Sequence, residues 1–288
     1  MSCQIFMKDF IKIIASRKVA SIEVRTRFHT EETRRLLFPH AIMRFMLSWN
    51  ERYEIEQRWF PDAYPRIRGK LWAAIAEAVR PDSRILDAGS GSGSSPLRAH
   101  RGKARLIVGV DTVHAQNYRL DAFVEGDLEA LPFADGMFDA IVCIDVIEHL
   151  ADPGRVISEF ARVLRPPSRP GGGDGGQLFF MTPSAWAPVP LMARLLPFSW
   201  HRRLKRPLGV HEEDVFPTQY RCNTPGCLDR LLRAHGLQQE WMQMVDVTFG
   251  YFAVNRLVYI LGLLYSRLMY LPFLKPFRSS IVGAYRRR

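Results

Sequence analysis

The feature that most restricts the fold is the run Arg84-Ile85-Leu86-Asp87 followed at once by glycines at every second position, Asp87-x-Gly89-x-Gly91-x-Gly93. A short apolar strand that breaks into alternate glycines must turn sharply. Glycine also removes the side chains that would keep a ligand's ribose or the approaching backbone at a distance. Asp87 stands where a carboxylate can accept a hydrogen bond or balance positive charge. A dinucleotide fingerprint, Gly-x-Gly-x-x-Gly, needs a third glycine where this chain, counted from Gly89 or from Gly91, has Ser94 or Pro96, so that reading fails on spacing.

The surroundings of the loop read as alternating strands and helices. Leu106 to Val110 forms a second strand closed by Asp111, Phe123 to Asp127 a third, and Phe138 to Ile144 a fourth. Pro153 to Leu164 places Val156, Ile157, Phe160, Val163 and Leu164 on one helical face. The Pro/Gly-rich stretch 165–177 is a loop before a strand at Leu178 to Thr182. Asn223-Thr224-Pro225 opens another helix, stopped by Gly236, and a closing strand is expected over Glu240 to Thr248. Upstream, 47–80 reads as a helical lead-in ended by Pro81. This order predicts an α/β fold, a doubly wound and mostly parallel sheet with ligand at the carboxyl ends of its strands.

Acidic residues recur at those strand ends. Asp111 is placed to bind both ribose hydroxyls of a nucleoside, and Asp127-Leu128 pairs a polar with an apolar group, suited to an adenine amino group and its ring face. Then come Leu131-Pro132-Phe133-x-Asp135-x-x-Phe138-Asp139 and Ile141-Val142-Cys143-Ile144-Asp145-Val146-Ile147-Glu148-His149-Leu150. Over 84–184, and more loosely over 221–236, the chain resembles the type 11 group of class I methyltransferases, which includes quinone-biosynthesis enzymes. The resemblance implies S-adenosyl-L-methionine as cofactor. By position it assigns Asp87, Gly89, Gly91, Ser92 and Gly93 to the first motif, Asp111 to the ribose, Asp127 and Leu128 to the adenine, and Ile144 with Asp145 to the end of the fourth strand. The family's Leu-Arg-Pro-Gly-Gly turn departs here, because Leu164-Arg165-Pro166 is followed by extra residues before the glycines.

Methyl transfer from a sulfonium asks the protein chiefly for proximity, alignment and exclusion of water. An oxygen acceptor also needs a base. His149 with Asp145 beside it is the first candidate, and His211, in a presumed lid over 184–220, the second; Tyr220 and Arg221 are expected to face the acceptor. No metal site is expected. The cluster His211-Glu212-Glu213-Asp214 lacks the spaced carboxylates of a hard-cation loop, and Cys222 and Cys227 lack a second pair.

At 47% hydrophobic and 24% charged, the chain is neither largely disordered nor a polytopic membrane protein. Its four cysteines read as free thiols in a reducing compartment, and its first twenty residues lack the pattern of a signal peptide, so a cytoplasmic location is expected. Residues 1–46 form an extension with no recognisable motif, and Met43 or Met46 is an alternative start; 47–248 is the expected catalytic domain. The net charge of +11 gathers at one end: no acidic residue follows Asp246, and 249–288 forms an apolar, basic tail ending in Arg286, Arg287 and Arg288. Cations interleaved with large apolar groups fit an anionic membrane surface at the inner face, and argue against nucleic acid. The expected acceptor is a small, lipid-linked or amphipathic molecule. The competing readings are a soluble-metabolite methyltransferase, a tail that packs on the core or makes a dimer contact, and a binding protein that has lost transfer.

Overall fold

A computed structural model describes residues 47, 49–59, 69–91, 93–113, 119–170, 172–188, 190–191, 218–249 and 255–288. In chain order its elements are α1 (Trp49–Trp59), α2 (Lys70–Ala78), β1 (Arg84–Ala88), α3 (Ser95–Arg98), β2 (Leu106–Asp111), β3 (Ala122–Glu125) and β4 (Ala140–Ile144). After a 3-10 turn at Ile147–His149 follow α4 (Pro153–Val163), β5 (Gln177–Pro183), α5 (Pro225–Ala234), β6 (Leu237–Val245), α6 (Arg256–Leu268), a 3-10 segment at Pro272–Phe277 and β7 (Ser280–Arg287). The extension 1–46 and most of the presumed lid lie outside the described residues.

The chain divides into two units, of which one, Tyr64–Ala185 with Thr218–Val245 and Ser280–Arg288, holds a seven-stranded sheet of order β3-β2-β1-β4-β5-β7-β6. β1 to β5 pair in parallel, and β7 runs antiparallel to both β5 and β6. Strands covered on both faces should be apolar nearly throughout, and Ile85, Leu86, Ile107, Val108, Ile141, Val142, Leu178, Phe179 and Phe180 are all buried. α4 starts where Asp152 accepts the Arg155 amide at 3.1 Å with Pro153 in the first turn, and buries Val156, Ile157, Phe160 and Val163. The doubly wound, mostly parallel sheet is the fold expected from the sequence.

Several boundaries differ for local reasons. The third strand stops at Glu125, because Asp127 accepts the Glu129 amide at 2.9 Å and so opens a turn. Phe138 stays outside β4: its amide donates to Val163 O and its carbonyl accepts from Arg165, a pairing that closes the end of α4 instead. β6 begins directly after Gly236, whose φ of +75° stops α5, and ends before Asp246, whose carboxylate accepts both the amide and the hydroxyl of Thr248.

The larger correction concerns the expected tail. Ser280–Arg287 is a strand inside the sheet, so a boundary at Phe249 cuts through the sheet-bearing unit. Tyr285, fully buried, donates its hydroxyl to Asp229 at 2.7 Å. The arginines are also taken up there: Arg286 pairs with Glu240 and donates to Gly175 O at 2.8 Å, Arg287 donates to the carbonyls of Leu164 and Arg162, and the Arg288 amide donates to Gly236 O at 3.0 Å. They are ladder and loop braces, not a cluster directed at headgroups.

The described part of the second unit consists mainly of α1, Asp246 to Phe249, α6 and Pro272–Phe277. Within it, buried Asp246 accepts the Ser266 hydroxyl at 2.6 Å, and the Tyr259 hydroxyl donates to Glu56 of α1. No described helix is long and apolar enough to cross a membrane.

If β7 is integral to the sheet, a chain ending at Ser279 leaves the facing edges of β5 and β6 unpaired. It is expected to lose cooperative thermal unfolding followed by circular dichroism; a transition like that of the full chain would show β7 to be dispensable.

Candidate active site

The strand order reverses at β1, which pairs with β2 on one side and β4 on the other, so a crevice opens where the chain leaves their carboxyl ends. There the loop after β1 passes through Gly89 (φ +67°), Gly91 (φ +49°) and Gly93 (φ +96°). Side chains enter this left-handed region at a cost of about 1–2 kcal/mol. The three positions differ in their surroundings. A Cβ on Gly89 would come 2.3 Å from Val146 Cγ2, and one on Gly93 3.0 Å from Leu120 Cγ, whereas at Gly91 nothing among the described residues lies within 4 Å. Gly89 and Gly93 therefore serve close packing, and Gly91 keeps one side of the backbone open.

The loop's amides are largely used internally. Gly89 and Ser90 donate to Val110 O, Gly91 donates to Asp111 Oδ2 at 2.8 Å, and Ser94 to Asp87 Oδ2 at 2.6 Å. Asp87 is fully buried, so its carboxylate braces the exit of the loop. Asp111, half-buried at the end of β2, also accepts the Val113 amide at 3.3 Å. Asp127 is exposed just beyond β3, while the Leu128 side chain is buried in the apolar core. Ser92 and His211 lie outside the described residues.

The end of β4 carries the other group. Ile144 is half-buried; Asp145 follows with φ +64° and donates its amide to Met181 O at 2.7 Å. His149 Nε2 lies 3.5 Å from Glu148 Oε1, at ion-pair distance, with the imidazole partly exposed and the carboxylate fully buried. Among the predicted residues, then, Gly91 meets Asp111, and Asp145 and His149 share the β4 exit.

Glu148, Thr182 and Asn223 escaped the sequence reading. The Thr182 hydroxyl donates to Glu148 Oε2 at 3.1 Å, and Asn223 Nδ2 donates to Thr182 Oγ1 at 2.6 Å and to Pro183 O at 3.1 Å; all three side chains are buried. Glu148 O accepts the amides of Gln219 (2.7 Å) and Tyr220 (3.1 Å), which ties 218–223 to the ends of β4 and β5. Tyr220 has φ +50°, so it and Asp145 are the two non-glycine residues in the left-handed region among those described. Such strain, about 1–3 kcal/mol each, gathers at functional sites. One signal was available, a polar residue ending each apolar run, as Glu148 and Thr182 do.

Nearby, burial pushes the Cys222 thiol up to about 12, aided by Cys227, so it stays protonated and is a poor metal ligand. Among the described residues no group of three or more His, Cys, Asp or Glu could hold a metal ion.

Comparison with known proteins agrees with this geometry. Residues 86–169 match the family model of the methyltransferase domain, type 11. Over this segment, 86–169, the chain is similar to that family. The chain is 30% identical over 144 residues to the 27-O-demethylrifamycin SV methyltransferase of Amycolatopsis mediterranei, covering 46% of this chain and 51% of that protein. It is 34% identical over 117 residues to the ubiquinone biosynthesis O-methyltransferase of Hahella chejuensis, covering 36% and 45%. The chain thus spans about half the length of the curated relatives it matches. A chain of the solved complex containing the Haloferax volcanii Trm112 methyltransferase activator aligns over 82% of this chain and 93% of its own length, with 16% identity and a TM-score of 0.51, a likeness of fold.

The glycine loop after β1 generates a paired prediction. Gly91→Ala is expected to cost about 1 kcal/mol of stability, from φ alone, and Gly89→Ala about 3 kcal/mol or more, because Val146 must also move. Equal losses in denaturant titration would contradict the distinction between packing and open glycines.

Proposed function

We propose that this chain is an S-adenosyl-L-methionine-dependent methyltransferase whose acceptor is a small, lipid-linked or amphipathic molecule, reached at the inner membrane face. The carrying observation is the open backbone at Gly91 beside the Asp111 carboxylate, 2.8 Å away at the point where the strand order reverses.

The residues fit a nucleoside-bearing cofactor. An ionised carboxylate has about four acceptor positions, so Asp111 can take ribose hydroxyls besides its two amide donors. Exposed Asp127 can accept from the adenine amino group, with buried Leu128 anchoring the backbone next to it. Ile144 offers apolar contact from β4, Asp87, Gly89 and Gly93 shape the loop, Gly91 gives it access, and Ser92 is a further candidate contact from its place in the sequence motif. When bound, the cofactor supplies a methyl group already activated on sulfur. The protein's share is then alignment and a dry site.

For an oxygen acceptor, His149 takes the proton, with the buried Glu148 carboxylate 3.5 Å behind its Nε2. Asp145, at the same strand exit, orients the acceptor; His211 is the second base candidate, from its sequence alone. That the Hahella chejuensis relative is named an O-methyltransferase supports oxygen chemistry. A small acceptor is supported by the two relatives' names, and a lipid-facing one by the exposed Leu257, Leu261, Leu264 and Leu268 of α6 with exposed Arg256 and Arg267.

Asp111→Ala is expected to weaken S-adenosylmethionine binding by about 10–100-fold in calorimetric titration, the equivalent of about one or two charge-assisted hydrogen bonds. Unchanged affinity would remove Asp111 from the ribose site, and absence of binding by the folded native chain would overturn the proposal. His149→Gln is expected to slow turnover of an oxygen acceptor by about 10²–10⁴-fold while cofactor affinity stays constant; unaltered turnover would place proton removal elsewhere.

A further inference from the structure

α6 has two unlike faces. Tyr259, Gly262, Leu263 and Ser266 are buried, while Leu257, Leu261, Leu264 and Leu268 are exposed, Leu257 to 67%. At 3.6 residues per turn the exposed leucines point within about 40° of one direction, and the buried set is centred on the opposite side. The apolar surface continues through Leu271, Phe273 (72% exposed) and Phe277 in and beside Pro272–Phe277. Isolated exposed apolar residues are ordinary, but four leucines on one helix face, followed within nine residues by three more exposed apolar side chains, mark an interaction site.

The charges on this segment narrow the occupant. Arg256, Arg267 and Lys275 are exposed along it, and no acidic residue occurs between Arg256 and Phe277. A second copy of the same face would set cations against cations with no carboxylate between them. The extension 1–46 is itself net basic. A surface that presents anions at its rim and hydrocarbon beneath complements the row. α6 has 13 residues, a rise of about 20 Å against the roughly 30 Å of a hydrocarbon core, so it fits along a bilayer surface and not across it.

We propose that the leucine row of α6 with Phe273 and Phe277 docks on an anionic lipid leaflet, its side chains among the acyl chains and Arg256, Arg267 and Lys275 at the headgroups. The docking surface is α6 and the segment after it; Arg286 to Arg288, engaged in the sheet unit, take no part. The inference deepens the lipid-facing reading above and rests on it for its purpose, but vesicle binding and cofactor binding are measured separately.

The test is co-sedimentation of the full chain with vesicles of phosphatidylcholine alone or with one-third phosphatidylglycerol, with S-adenosylmethionine affinity and sedimentation velocity recorded on the same samples. The native chain is expected to bind the anionic vesicles at least about tenfold more tightly, and less so as salt is raised. Leu261→Gln with Leu268→Gln and Phe273→Ser, all at exposed positions, is expected to weaken that binding at least about tenfold. So is Arg256→Gln with Arg267→Gln and Lys275→Gln, with the thermal transition and cofactor affinity unchanged in both variants. Absence of vesicle binding, binding untouched by either variant, or a native dimer that the leucine variant dissociates would overturn the proposal, the last in favour of a second copy. Vesicle binding by a folded chain without cofactor affinity would keep the docking face and sink the methyl-transfer reading.

Discussion

The parallel pairing of β1 with β2 on one flank and β4 on the other governs where chemistry can gather in this chain. Both faces of β1 are covered, so the chain can leave it only past its carboxyl end, and the strands beside it deliver Asp111 and Asp145 to the same edge. The two exits are in contact: Gly89 has no side chain because Val146, just past β4, occupies that space. The glycine loop after β1 and the segment bearing His149 are consequently shaped by one another, and a change of backbone at either is felt at both.

Glu148, Thr182 and Asn223 extend this coupling. A carboxylate out of water is costly unless hydrogen bonds compensate for lost hydration; here a hydroxyl donates to it, and that hydroxyl in turn accepts from an amide. The arrangement holds 218–223 against β4 and β5, and the same carboxylate lies behind His149. The brace of 218–223 and the neighbour of His149 are thus the same residue, Glu148, a side chain with no exposed surface. The positive φ angles of Asp145 and Tyr220 lie on the two segments that the Glu148 main chain and side chain draw together.

What could be read from sequence was local. Strand, glycine turn and following acid lie within a short stretch, and each position is dictated by backbone sterics or by a single carboxylate, so the loop from Asp87 to Gly93 and the place of Asp111 were legible. Glu148, Thr182 and Asn223 come together only through the strand order, which no local pattern encodes. Leu128 reads as a ligand contact because apolar residues at strand ends can serve either a ligand or the core, and its side chain is part of the buried core cluster. β7 was hidden by composition: its arginines follow a long apolar and basic stretch and read as its continuation, and only their partners, Glu240 and the carbonyls of Gly175 and Leu164, reveal a strand.

The late position of β7 carries a consequence for the order of folding. Arg286 meets Gly175 across 111 positions of chain, and between them lie α5, β6 and the exposed leucines of α6. Until β7 inserts, the outer edge of β5 presents a row of unpaired amides and carbonyls, and contacts of such long separation form slowly. Nascent molecules therefore pass through a stage in which a bare strand edge and an apolar helix face are open together. That combination is prone to self-association, which makes escape from aggregation, more than final stability, the step at which this fold is most vulnerable.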